Sequence, residues 1–340
     1  MSKKITVNMV SESDITVQGH GVHTAYDEMA SALEKRDDVE VIRGKFGEEV
    51  DCDVIHMHTF GTYAWRKMAQ DGPKKVVSAH VVPASLVGSI ILAKYWLFAA
   101  RWFLRWFYNK ADKVLAVSNM VAKTLHEELY VPKSKIEVFY NTIDMKRFAS
   151  TAQQNAAARN KLGVAHEDFV VLGNGQVQPR KRFDIFIALA KELPDVKFIW
   201  VGGIPFKGLG ADHAHMQHMI NSAPDNLTVT GVIPHEDVFD YYKAADAFCL
   251  PAEQENHPMC VLEAAGATLP IILRDIPEYD DTFANDALRC QDDDFADAIR
   301  KLQTDKAFYK AQQQRSKAIA GRFDSSVAAE KLVDLYRQLV

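Results

Sequence analysis

The chain has 340 residues, 48% hydrophobic and 25% charged, with a net charge of −5. That balance excludes a disordered or fibrous chain and argues against bulk nucleic-acid binding. The length suits two domains, each large enough for a full core.

The run "KITVNMV" at the N-terminus is short and leads into polar residues, so it predicts a first β-strand rather than a signal peptide. A loop and a helix from about Val22 to Lys35 follow. Next come "VEVIRG", "CDVIHMHTF", "KKVVSAH", "KVLAVS" and "KIEVFY", most of them trailed by amphipathic stretches. The polar segment "ASTAQQNAAARNKLGVAHED" carries no strand signal and reads as a linker with a short helix. The strand pattern then restarts with "FVVLGNG", "KFIWVGG", "LTVTGV", "AFCLPA" and "LPIILRD". Leu332, Leu335 and Leu339 recur at helical spacing in a C-terminal amphipathic helix. Strands alternating with helices predict βαβ units and parallel sheets. The expected α/β organisation is two doubly wound Rossmann-like domains: 1–149, a linker at 150–167, and 168–322. A helix at 323–340 is expected to pack back toward the first domain. Ligands of such sheets bind beyond the C-terminal ends of the strands.

Between two of the early strands lies "KYWLFAARWFLRWFYNK", Lys94 to Lys110, with three tryptophans, three phenylalanines and four cations. The longest apolar candidate, from Val81 onward, is broken by Pro83, Lys94, Arg101 and Arg105, so no window approaches the ~20 apolar residues of a membrane span. The charge is uneven: residues 1–150 carry 20 Lys/Arg against 18 Asp/Glu, and residues 151–340 carry 20 against 27. Within 61–123 ten cations face only Asp71 and Asp112. Such a patch in an acidic protein points to an anionic partner. On a helical wheel Lys94, Arg101 and Arg105 share one stripe, while Trp96, Ala100, Phe103 and Phe107 share another. This is the pattern of a helix lying in a membrane interface, with Lys94, Trp96, Arg101, Trp102, Arg105 and Trp106 as its contacts. An internal helix with snorkelling cations is the competing reading.

Two segments carry chemistry. In "EQENHPMCVLEAAGA", Pro258 suits the first residue of a helix, with Asn256 or His257 near its cap. The N–H groups of Met259, Cys260 and Val261 would then form an anion site fit for a diphosphate. Glu255 and Glu263 flank them, and a carboxylate binds vicinal hydroxyls well. Acids at this spacing also arise by chance. In "GNGQVQPRKRFD", Gly173 and Gly175 allow close approach to a ligand, and Arg180, Lys181 and Arg182 suit a diphosphate leaving group or a solvated charge run.

Together with "GHGVHTAYDEMASAL", "DVIHMH", "SAH", "VLAVSN" and "VFYNTIDMKRF", these segments give the chain a resemblance to the retaining glycosyltransferases of family GT4. The resemblance implies the GT-B fold, two Rossmann-like domains facing a central cleft. It also implies roles for individual residues. Gly21 would pack under the diphosphate and His80 would lie beside the transferred sugar. Lys181 would bind the diphosphate. Glu255 and the following Asn256, His257, Met259 and Cys260 would hold sugar and phosphate. Glu263 would take the ribose hydroxyls, and the backbone near Val232 and Ile233 the base. His80, Lys181 and Glu255 are the expected catalytic residues. The chain departs from the family pattern at Gln176, where an arginine is usual and Arg180 could compensate, and at Thr142 and Pro258, where glycines are usual.

"GQVQ…RK", "ENHPM" and the aromatic-cationic helix look closest to the glycolipid synthases of Gram-positive bacteria. The resemblance implies transfer of galactose or glucose from a UDP-sugar to glucosyl-diacylglycerol. The product would be a dihexosyl lipid of the lipoteichoic acid anchor type. It implies no metal or other cofactor and no nucleic-acid partner. Its place would be the inner face of the cell membrane, peripheral and cytoplasmic. A first-step diacylglycerol glucosyltransferase and a GT4 enzyme with a small soluble acceptor remain alternatives. A nicotinamide-dependent dehydrogenase fits poorly, because "GHGVHT" has two glycines and no acid ends the next strand.

Five other signals carry less. Cys52, Cys249, Cys260 and Cys290 make no CxxC pair and read as reduced thiols. "DCD" at 51–53 precedes its strand, the wrong end of the sheet for a ligand, and "DDD" at 292–294 reads as a helix cap. Of His213, His215 and His218, only the last two are helical neighbours, which argues against a metal site. His56 and His58 share one strand face and could line the crevice or form an ordinary polar strand end.

Overall fold

The computed structural model describes residues 4–12, 21–45, 48–86, 93–204, 212–283 and 285–340; the side chains of 84, 86 and 93–96 lie outside it. Two compact units result. One holds most of residues 1–142 together with Phe323–Val340, the other Ile143–Arg322.

The first unit contains β1 (Ile5–Val10), β2 (Val39–Arg43), β3 (Val54–Met57), β4 (Lys74–Ala79), β5 (Lys113–Ala116) and β6 (Ile136–Val138). Their order is β2-β1-β3-β4-β5-β6, and every pairing is parallel. Helices α1 (Gly21–Glu34), α2 (Thr62–Ala69), α3 (Ala93–Lys110) and α4 (Asn119–Glu127) connect them. Parallel strands covered on both faces are continuously apolar, which is why Val7, Met9, Val10, Val54, Ile55, Val76 and Val77 are all buried.

The second unit contains β7 (Phe169–Asn174), β8 (Val196–Val201), β9 (Leu227–Val229), β10 (Ala247–Leu250), β11 (Ile271–Arg274) and β12 (Leu288–Cys290). Its order is β12-β11-β10-β7-β8-β9, again parallel throughout. Helices α5 (Ala152–Leu162), α6 (Phe183–Glu192), α7 (His213–Asn221), α8 (His235–Ala244), α9 (Met259–Gly266), α10 (Phe295–Thr304) and α11 (Lys306–Arg322) surround it. Strand order reverses between β1 and β3 in the first sheet and between β7 and β10 in the second. These switch points are where doubly wound sheets open a crevice.

The segment expected to be a linker is well folded. Thr151 and Gln154 form a reciprocal capping box at the start of α5, and Gly163 ends it at φ 67°. Arg159 ties α5 to Asp246 at 2.5 Å and Lys161 ties it to Asp240 at 2.8 Å. The final helix, α12 (Ser325–Leu339), belongs to the first unit. Its Leu332, Val333, Leu335 and Tyr336 share a core with Tyr26, Met29, Ala30 and Leu33 of α1, and Arg337 pairs with Asp38 at 2.6 Å.

Asp53 accepts the Thr6 N–H at 2.9 Å and so fastens the start of β3 to β1. Asp294 accepts the Gln291 N–H at 3.0 Å as part of a cap. The four cysteines are free thiols. Among the described residues no helix is long and apolar enough to cross a membrane, and no three His, Cys, Asp or Glu side chains are grouped to hold a metal ion.

Candidate active site

In the second unit the two strands at the switch point end at Asn174 and Leu250 and run on into Gly175 and Pro251. Gly175 has φ 152°, a conformation that residues with a side chain rarely adopt, and the Lys181 side chain lies in van der Waals reach of it. Its carbonyl accepts the Trp200 indole N–H at 2.9 Å and fits against Gly202, where a Cβ would meet that oxygen at 2.2 Å. The turn therefore needs glycine at both places. It leads into a short 3₁₀ segment, Pro179–Lys181, that points Lys181 inward.

Lys181 and Glu255 are both buried, at 7% and 6% exposure, and are joined by a short ion pair. Arg180 reaches the same Glu255 oxygen at 3.2 Å and the Gln254 carbonyl at 3.1 Å. Burial pushes the Glu255 carboxyl upward, but Lys181 and Arg180 together outweigh it and hold the group below its ordinary value. Two cations on one carboxylate leave a positive excess in a largely desolvated corner, an arrangement that can take an anion. Arg180 is steered by a relay that sequence reading missed. Its Nε donates to Gln178 at 3.2 Å, and Gln178 donates to Gln176 at 2.9 Å. Arg182 turns away: with φ 52° it faces outward and pairs with Asp184 at 2.8 Å.

Pro258 caps α9 rather than beginning it, since its ψ of 126° is extended and Met259 is the first helical residue. This also corrects the expected set of free amides. The Val261 N–H is bonded to the Pro258 carbonyl at 3.2 Å, which leaves Met259 and Cys260 at the helix start. Burial pushes the Cys260 thiol up to about 12, so the side chain stays neutral. His257 is buried and stacks on Phe283 at 5.3 Å, while Asn256 accepts from Gln254 at 3.3 Å.

One turn into α9, Glu263 is also buried, at 3% exposure. One carboxylate oxygen accepts from the Tyr242 hydroxyl at 2.7 Å and from Asn174 at 3.2 Å; the other lies 3.5 Å from His235. Burial and the neighbouring Glu263 push the Tyr242 hydroxyl well above its ordinary value, which keeps it a donor. Tyr242 and Asn174 were not anticipated. Asn174 lay open to recognition at a strand end, but Tyr242 sits on α8, a face that only tertiary packing brings to Glu263. Val232 and half-buried Ile233 sit in the loop after β9, two strands from β7 in the sheet order, with Val232 49% exposed. Lys181, Arg180 and Glu255, with Gln176 linked through Gln178, thus form one cluster ahead of α9, and Glu263 on α9 forms a second.

In the first unit Gly21 is the exposed first residue of α1, and residues 13–20 before it lie outside the described set. His80 follows β4 and its Nε2 is 3.0 Å from Nδ1 of His58, which follows β3. His56 is wholly buried, with Nδ1 2.6 Å from the Tyr336 hydroxyl and Nε2 2.9 Å from Ser78 Oγ. Burial lowers the His56 pKa to about 3 and takes His58 well below the ordinary range, so both rings are neutral.

Helix α3 is turned differently from its wheel. Leu104, Phe107 and Tyr108 are buried, Phe103 packs on Phe60 at 6.3 Å, and the Tyr108 hydroxyl donates to the Val81 carbonyl at 2.7 Å. The stripe expected to face a membrane through Phe103 and Phe107 therefore faces the core. The outward stripe is Phe98, Trp102 and Trp106, exposed by 85%, 66% and 36%, with Trp65 of α2 exposed by 50%. Arg101 pairs with Glu128, and the Arg105 guanidinium lies 4.4 Å from the Tyr130 ring centre. The side chains of Lys94 and Trp96 lie outside the described residues.

Comparison with known proteins assigns the family. A model of the glycosyl transferases group 1 matches residues 154–320, and a model of Glycosyltransferase Family 4 matches residues 37–147. An alpha-galactosylglucosyldiacylglycerol synthase of Streptococcus pneumoniae is 30% identical over 340 residues, covering 99% of this chain and 90% of that protein. An alpha-monoglucosyldiacylglycerol synthase of Acholeplasma laidlawii is 25% identical over 69% of this chain and 61% of its own length. The solved structure of Anabaena Alr3699/HepE with UDP-glucose superposes with a TM-score of 0.78 at 16% identity, covering 98% of this chain and all of that one. With both halves matched and a relative running its whole length, the chain belongs to the family 4, group 1 glycosyltransferases: it is a retaining enzyme of the hexosyltransferase class with the GT-B fold.

Proposed function

We propose that the enzyme moves glucose or galactose from a UDP-hexose to a membrane glycolipid, glucosyl-diacylglycerol, giving a dihexosyl-diacylglycerol. The observation that carries the donor half is the buried Lys181–Glu255–Arg180 cluster beside the start of α9. Its positive excess and the Met259 and Cys260 amides suit a diphosphate, and Glu263, oriented by Tyr242, suits the ribose diol. The relative from Streptococcus pneumoniae supports the acceptor by its name, and the exposed Phe98, Trp102 and Trp106 favour work at a lipid surface.

In this reading the glycosidic C–O bond to the diphosphate breaks as positive charge builds on the sugar, and the leaving oxygen becomes anionic. Lys181 and Arg180 stabilise that oxygen. The acceptor hydroxyl attacks from the same face and passes its proton to the diphosphate, so configuration is kept and UDP leaves protonated. Glu255 and the backbone at 256–260 hold the hexose and phosphate, Glu263 the ribose, the loop at Ile233 the base, Gly21 the diphosphate from below, and His80 the hexose.

The test is to incubate the enzyme with radiolabelled UDP-glucose or UDP-galactose against diacylglycerol and glucosyl-diacylglycerol vesicles. Label in a dihexosyl lipid is expected. Label in a monohexosyl lipid would make this the first-step enzyme, and label only in water-soluble products would overturn the lipid acceptor.

A further inference from the structure

The period-2 alternation of a strand places His56 and His58 on one face of β3 and its extension, and Ser78 and His80 on the same face of β4 and its extension. Parallel pairing sets His56 beside Val76, so two diagonal rungs join the strands, His56–Ser78 at 2.9 Å and His58–His80 at 3.0 Å. The rings of His56 and His58 lie 4.7 Å apart, those of His58 and His80 5.2 Å apart and stacked, and Tyr26 of α1 closes on His58 edge-on at 5.5 Å. His58 is 3% exposed, while His80 is half-buried at the strand end.

We propose that His58 is a positioning residue for the transfer reaction: it holds the His80 ring in one orientation and one tautomer by donating from Nδ1 to His80 Nε2. The chemistry of the rung decides its direction. A neutral imidazole carries one proton. Nε2 of His58 is buried and has no hydrogen-bond partner among the described residues, whereas its Nδ1 has His80. A buried N–H without an acceptor is the rarer and costlier orphan, so the proton sits on Nδ1. His80 must then accept at Nε2, which leaves its own proton on Nδ1, the donor it presents beyond the rung. The depressed pKa of His58, caused first by burial and then by the two neighbouring histidines, keeps the ring neutral. Tyr26 blocks rotation of the ring from one side.

This inference rests on the reading of His80 as the residue beside the hexose, and the experiment separates the two. Histidine-labelled ¹⁵N protein is prepared as wild type, His58→Phe, His58→Asn and His80→Ala, and long-range ¹H–¹⁵N spectra read which ring nitrogen of His80 is protonated. Wild type is expected to show His80 protonated at Nδ1 only. His58→Phe is expected to mix the His80 tautomers and to lower kcat about 10- to 100-fold, the loss typical when the partner that orients a working histidine is removed. KM for the UDP-hexose should stay within about twofold. His58→Asn places an amide donor where Nδ1 was and should restore both the single tautomer and most of kcat. An unchanged His80 tautomer in His58→Phe overturns the proposal, as does failure of a stably folded His58→Asn to recover either readout. Full turnover by His80→Ala overturns the reading of His80 itself, and the proposed contribution of His58 to turnover falls with it; the spectra then judge the pairing alone.

Discussion

Lys181 and Arg182 are adjacent in sequence and opposite in surroundings. The left-handed backbone at Arg182 reverses the chain, so one cation is buried on Glu255 and the next is paired with Asp184 at the surface. Lys181→Met is therefore expected to lower kcat about 10²- to 10³-fold, the usual cost of losing a fixed charge at a developing anion. Arg182→Met should stay within about twofold of wild type. Glu255→Gln leaves two cations without their carboxylate and should destabilise the fold by about 3–5 kcal/mol, as breaking a buried pair does. That loss should be seen in full only above the ordinary carboxylate range. Glu255 is held low in the fold, so its contribution is complete above about pH 4.5 and fades as acid protonates it. Turnover with labelled donor and thermal unfolding at pH 7 and at pH 3 check these expectations together. Glu255 and Lys181 were legible as residues, since each follows a strand that an apolar run marks clearly. Their joining on one oxygen was not, because 74 residues and a switch in strand order separate them.

Helix α3 shows where pattern reading fails. Aromatic residues occupy several of its faces, so a wheel yields more than one apolar stripe and only packing selects among them. The fold buries Leu104, Phe107 and Tyr108 and leaves Phe98, Trp102 and Trp106, four residues apart, to solvent. Arg101 and Arg105 stay exposed beside them, although Glu128 neutralises the first. Replacing Phe98 and Trp102 by serine is thus expected to abolish flotation with anionic vesicles while leaving the melting temperature within a few degrees. Leu104→Ala should do the reverse, costing about 2–5 kcal/mol of stability with flotation retained. Flotation unchanged in the double serine variant would remove the helix from the membrane reading. The strands were easier to read because a strand buried on both faces is a continuous apolar run. Among the described strands only β12, the three residues Leu288–Cys290, escaped notice, being too short and too polar to stand out.

Across the whole chain, the first unit is closed by residues from both of its ends. Tyr336 of α12 reaches His56 in the middle of the first sheet, and the ring is neutral there because burial takes its pKa down to about 3. In the unfolded chain the same ring titrates near 6.5. Acid therefore favours unfolding: the contribution of His56 is complete above pH 6.5 and declines by about 1.4 kcal/mol for each pH unit below it. Calorimetry from pH 7 to pH 4 should show this slope in wild type and a shallower one in His56→Gln, while an unaltered slope would assign the acid sensitivity elsewhere. The C-terminal helix was legible as an amphipathic element, but which face of which core it completes depends on contacts nearly 300 residues apart. That separation has a consequence for biosynthesis. The residues of the second unit are all joined before Ser325 is added, whereas the first stays without α12 while residues 143–324 are made. At ~5–20 residues per second this lasts roughly 10–40 s. For that interval the part of α1 that packs on α12 is uncovered, so the nascent protein depends on chaperones most strongly through the half that was translated earliest.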